Sequence, residues 1–147
     1  MRLLITTILF LLATSVAARA AELPGQASGY CGIPDSIAID GARASSVSPF
    51  LGIFDGRWEG VLPVTLIVYD VSGTRAYGFY AWRNYTPWRV TAGCRRVLGT
   101  IKAGRLEFKG RDTMSFKVIG KRLSGTYYFN PGSSSELIEK STFLRRR

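Results

Sequence analysis

The chain has no histidine, two cysteines, two methionines, and half as many acidic as basic residues, ten against twenty in 147. Without histidine, Ser-His-Asp and Cys-His nucleophiles are excluded, and so is an imidazole acid or base. Two thiols far apart in sequence, Cys31 and Cys94, are not a zinc pattern. No metal or other cofactor is expected. Gly120-Lys121 lacks the remaining positions of a phosphate-binding loop and reads as a hairpin turn. Carboxylates are what is left for catalysis: Asp55 and Glu59 flank Trp58, and Asp70 follows on the next run. Four positions along a strand separate the first two by about 13 Å, beyond the roughly 5 to 9.5 Å that glycosidase pairs use. They read as solvated turn and rim charges, and the protein is expected not to be an enzyme.

Long apolar runs are also scarce, and the one present is at the start. Arg2, the run Leu3 to Leu12, and the small-x-small triplet Ala18-Arg19-Ala20 have the form of an export signal over residues 1–20. The run is shorter than the roughly 20 apolar residues that cross a bilayer, so a cleaved leader is expected rather than an anchor, and no transmembrane span. The expected location is therefore secreted or periplasmic. About 127 residues remain, enough to bury one core. In an oxidising compartment Cys31 and Cys94 are expected to pair. Closing a loop of about 60 residues stabilises the fold by roughly 4 kcal/mol in the chain-entropy model.

Charge is unevenly spread. Ala21 to Trp82 holds three basic and six acidic residues, whereas Arg83 to Arg147 holds fifteen and four. The cationic character belongs to the second half, and such a surface attracts polyanions.

Residues 21–48 are rich in Gly, Ala, Ser and Pro with little periodicity, which describes an irregular N-terminal arm. From residue 49 to 147 the chain reads as a β domain. Strand runs are expected near 54–60, 63–71, 74–83, 88–92, 95–102, 105–110, 113–119, 123–130 and 136–144, each bounded by turn residues. Connections at Ser72-Gly73, Ala103-Gly104 and Gly120-Lys121 are too short for crossover helices, so an antiparallel meander follows. The fold class is all-β, an antiparallel up-and-down barrel of about eight strands. In the later strands alternation is clean, Leu106 and Phe108 against Arg105, Glu107 and Lys109. Around Ile67, Tyr69, Tyr77, Phe79 and Tyr80 it fails, which implies cover on both faces, by the arm or by a second copy in a homodimer.

Gly56-Arg57-Trp58, opening the first long strand, resembles the Gly-x-Trp start of calycin barrels, the lipocalin and avidin group. The resemblance implies a barrel over Phe50 to Leu144 whose Trp58 plugs one end and stacks on a basic side chain of the final strand, Lys140 or Arg145. By analogy it also implies ligand binding. Unlike lipocalins, the chain has no helical pattern after its last strand.

Two surfaces are candidates for function. Tyr77 to Trp88 packs six rings into twelve residues. Tyr80, Trp82, Tyr85 and Trp88 can line a barrel mouth and stack on a sugar ring or an apolar ligand, with Asn84 orienting it. The competing reading is ordinary strand packing, stronger for Tyr80 and Trp82 than for the loop residues Tyr85 and Trp88. The basic set Arg95, Arg96, Arg105, Lys109, Lys117, Lys121 and Arg122 falls largely on the wet faces or turns of successive strands and can merge into one stripe. Its partner would be an anionic lipid or polysaccharide, or it is plain solubility charge; nucleic acid is disfavoured, because the rings a stacking reader needs lie elsewhere. The expected function is non-enzymatic binding, at the mouth or through the basic face. The alternative is a structural or interaction protein of the cell envelope, acting through its apolar strands.

Overall fold

The computed structural model describes residues 48–146. The expected leader, the expected arm apart from Ser48, and Cys31 lie outside the described residues.

Eight antiparallel strands, β1 (Gly52–Trp58), β2 (Leu62–Ser72), β3 (Arg75–Trp82), β4 (Gly93–Lys102), β5 (Arg105–Lys109), β6 (Thr113–Ile119), β7 (Arg122–Phe129) and β8 (Leu137–Arg145), follow one another around a closed barrel. Each pairs with the next, and β8 returns to β1. Closure removes the unpaired edges that a half-apolar sheet would otherwise offer to its own copies.

One expected strand is absent. Residues 88–92 form the end of a short 3-10 turn, Thr86–Trp88, and a single bridge between Tyr85 and Val90. Trp88 and Val90 imitate strand alternation, but Pro87 has no amide to give a ladder, and Arg89 turns the chain through a left-handed conformation at φ 52°.

The two ends of the barrel are built differently. At one end the hairpins are tight. Gly73, Gly104 and Gly120 supply positive φ, and Ala103 joins Gly104 in the left-handed region at φ 49°, as a two-residue turn with the strand twist requires. At the other end the connections are longer, Arg83 to Ala92 between β3 and β4 and Asn130 to Glu136 between β7 and β8.

Inside, the tight-turn end is full. Phe50, Phe54, Leu66, Leu106, Phe116 and Phe143 are buried in one apolar cluster. Glycine makes room for the rings: a Cβ on Gly125 would sit 2.7 Å from Phe143 and 3.0 Å from Phe116. Gly78 faces the Ile67 carbonyl so closely that a side chain there would strike backbone. Beside it Tyr69 is the extra residue of a bulge, where the β2–β3 register shifts between Val68 and Asp70. Arg145 seals this end, donating hydrogen bonds to the carbonyls of Leu51 and Pro49 while its guanidinium covers the Phe54 ring at 4.7 Å.

The resemblance placed a final-strand cation on Trp58, and the structure corrects this. Arg145 stacks on Phe54 instead, and Lys140 stands on the outer face, since inward and outward residues alternate along β8 and Phe143 points in. Trp58 is buried among Phe143, Tyr127 and Phe116, with ring centroids at 5.3, 5.6 and 6.4 Å.

Burial on both faces of the early strands is as the broken alternation implies. Ile53, Ile67, Phe79 and Ala81 have outward phase and are buried nonetheless. Cys94 lies on the same outer face, opposite Ala81, and no free cysteine occurs among the described residues.

Candidate functional site

Above Trp58 the barrel opens into a hollow of about 720 Å³ at its long-loop end. Trp58 forms the floor, its indole N–H donating to the Tyr80 hydroxyl at 2.5 Å. That bond satisfies a buried donor and holds both rings in place. Burial pushes the Tyr80 hydroxyl well above the usual phenol range, so it stays neutral.

The walls come from several strands. Tyr80 and Trp82 end β3, Arg95 opens β4 on the inner face, Tyr127 and Phe129 end β7, and Leu137 and Glu139 begin β8. Trp88 and Val90 overhang from the β3–β4 loop. That loop is internally tied. Tyr85 and Val90 exchange backbone bonds at 2.9 and 3.1 Å, the Asn84 side-chain oxygen accepts from the Ala92 amide at 2.6 Å, and the Trp82 indole donates to the Thr91 carbonyl at 2.8 Å. The rim is apolar and wet: Trp88 is 39 % exposed, Leu137 54 % and Ile138 50 %. Exposed apolar groups ringing a hollow mark an interaction site.

Polar groups converge inside. Asp112, in the β5–β6 turn, is only 9 % exposed; one of its oxygens accepts from the Tyr127 hydroxyl at 2.8 Å, and the other, Oδ1, has no hydrogen-bond partner. The Arg95 Nε is likewise buried and unpartnered, although its guanidinium lies 5.8 Å from the Tyr80 ring centre. Burial, then the bond to Asp112, pushes the Tyr127 hydroxyl up. Desolvation, reinforced by the nearby Glu59 carboxylate, raises the pKa of Glu139. Glu59, in the β1–β2 turn, accepts the Lys140 amide at 2.7 Å.

Of the expected ligand set, Tyr80, Trp82 and Trp88 line the hollow. Tyr85 backs Trp88 edge-on at 5.1 Å, and Asn84 braces the loop. The sequence reading missed Asp112, Tyr127 and Glu139. The inward phase of β7, set by Leu123 and Gly125, was the available signal for Tyr127.

The basic set divides. Arg95 was expected on the wet face and instead points inward, because β4 turns Val97 and Gly99 to the core. Arg96 lies outside over the Phe79 ring at 5.7 Å. Lys109 pairs with Glu107 at 3.4 Å, Lys121 occupies a turn, and Arg122 faces Ile119 across that turn. Arg105 stands directly between Lys102 and Lys117 on the two neighbouring strands. Asp55 is engaged outside, accepting from Thr65 at 2.7 Å and from Arg146 at 2.7 and 2.9 Å.

Comparison with protein-family models, curated proteins and solved structures finds no match for this chain.

Proposed function

We propose that the protein is an exported, non-enzymatic binding protein of calycin-like build that takes a small amphipathic ligand into the mouth of its barrel. The single observation that carries the reading is the hollow of about 720 Å³ above Trp58. It falls within the range of small-molecule sites, roughly 300 to 1,000 Å³, and has their mostly apolar, aromatic lining with a few converging polar groups. The tied β3–β4 loop limits the ordering entropy lost on binding. An unoccupied barrel of this strand number needs no such opening, since eight strands can be filled by side chains alone.

The test is a titration followed by tryptophan emission, using decanol as an uncharged probe, because Trp58, Trp82 and Trp88 all border the hollow. A saturable shift, reduced about tenfold in affinity by Trp88→Ala, is expected. An emission spectrum unmoved by decanol and by its amine and carboxylate counterparts, each up to its solubility, would end the proposal.

The polyanion reading keeps one supporting observation, the row Lys102, Arg105 and Lys117. Like charges directly opposite on adjacent strands cost stability, which a bound anion would offset. Retention on heparin resin, reduced in Arg105→Ser, tests it. The interaction-protein alternative loses its bare apolar surface, because Ile53, Ile67 and Phe79 are already buried within one chain. We further propose that Cys31 and Cys94 are bridged; a thiol assay on the exported protein showing two free cysteines would contradict it.

A further inference from the structure

Resting on the mouth reading above, we infer that the ligand carries a positively charged amine, and that Asp112 is the residue that receives it, between aromatic walls on an apolar bed.

The first observation is Asp112 itself. It is nine-tenths buried, it lines the hollow, and Oδ1 has no hydrogen-bond partner while Oδ2 is held by Tyr127. A carboxylate oxygen withdrawn from water without a donor is costly, and an ammonium group supplies up to three donors together with the opposite charge.

The second is the local charge balance. Glu59, Asp112 and Glu139 border the hollow with Arg95 as the one cation among its lining residues, and two of these carboxylates, Asp112 and Glu139, come from the strongly basic half of the chain. No ion pair joins Arg95 to any of these carboxylates among the described residues. Glu139 resists ionisation chiefly because it is desolvated, and secondarily because the Glu59 carboxylate repels its charge. A cation entering the mouth relieves that repulsion, and an anion adds to it.

The third is the wall. Ring faces attract cations, and Arg95 already sits over Tyr80 at 5.8 Å, which shows the wall accepting a positive group. Trp82, Trp88 and Tyr127 border the same hollow and extend that surface. The Arg95 Nε, also unpartnered, can donate to a neutral oxygen on the same ligand.

The experiment compares decylamine, decanol and decanoate at neutral pH by tryptophan emission, on the full-length exported protein and on Asp112→Asn. Decylamine is expected to bind at least tenfold tighter than decanoate, and Asp112→Asn is expected to cut the decylamine-to-decanol affinity ratio about tenfold. Glu139→Gln, a second variant independent of the Tyr127 bond, is expected to cut that ratio about threefold. Decanoate binding as tightly as decylamine, or a ratio untouched by both variants, overturns the inference while leaving the mouth reading in place. Failure of all three amphiphiles overturns both.

Discussion

The two ends of this barrel have nearly the same wall but different contents. At the tight-turn end four phenylalanines, Phe50, Phe54, Phe116 and Phe143, fill the space, and Arg145 draws the incoming chain across the opening. At the long-loop end aromatic residues are as frequent, yet they stand around a hollow whose lining buries unpaired polar atoms of Arg95 and Asp112. The difference lies in what the loops can reach. Two-residue turns bring strands together and leave packing as the way to close the end, whereas Arg83 to Ala92 and Asn130 to Glu136 hold rings apart at the rim. Packing is therefore concentrated at one end, and the proposed recognition site at the other.

The contrast can be broken most forcefully at Phe143, which touches Trp58 and Phe116 and fills the space that Gly125 and Gly56 leave. Phe143→Ala should cost about 3–5 kcal/mol in urea unfolding, the usual range for emptying an aromatic core site. A loss below about 1 kcal/mol would mean that the closed end is not where the fold is held. Arg145→Ala comes next: two carbonyls lose their donor, for an expected cost of about 1–3 kcal/mol, while binding at the mouth stays within twofold of wild type. Equal damage to binding would show that the ends are mechanically coupled.

The smallest effect sharpens the open end. Glu139 has a raised pKa in the folded state, so as pH climbs from the ordinary carboxylate range through that raised value the folded protein binds more protons than the unfolded one, and stability falls. Glu59, Asp112 and Arg95 face the same hollow and set the background. Glu139→Gln should remove this decline, by less than about 1 kcal/mol because solvent still screens a part-buried group. Midpoints of thermal unfolding between acid and neutral pH measure it, and parallel curves for the two proteins would contradict it.

Most of the wall was legible in the sequence because turn chemistry and period 2 are local. Ala103-Gly104 and Gly120-Lys121 located hairpins, and Leu106, Phe108, Met114 and Phe116 announced the inner face of β5 and β6. The mouth was legible only along one contiguous stretch, Tyr80 to Trp88. Its other contributors arrive from separate strands, and nothing local distinguishes Asp112 from an ordinary turn aspartate. Arg95 and Arg96 illustrate the ambiguity: two identical neighbours carry no alternation of their own, so the phase of β4 rests on Val97, Gly99 and Ile101 further along. The seam was equally hidden, since β1 and β8 lie far apart in the chain and join partly through side chains, Ser141 receiving the Arg57 amide at 3.0 Å and Glu59 that of Lys140.

The first and last described segments run side by side at the filled end, where the Arg146 amide meets the Ile53 carbonyl at 2.8 Å. A tag, bead or surface joined at the last described residues would hold the protein like a cup by its base, with the opening turned to the medium. Immobilisation in that orientation should leave ligand exchange at the rate seen free in solution.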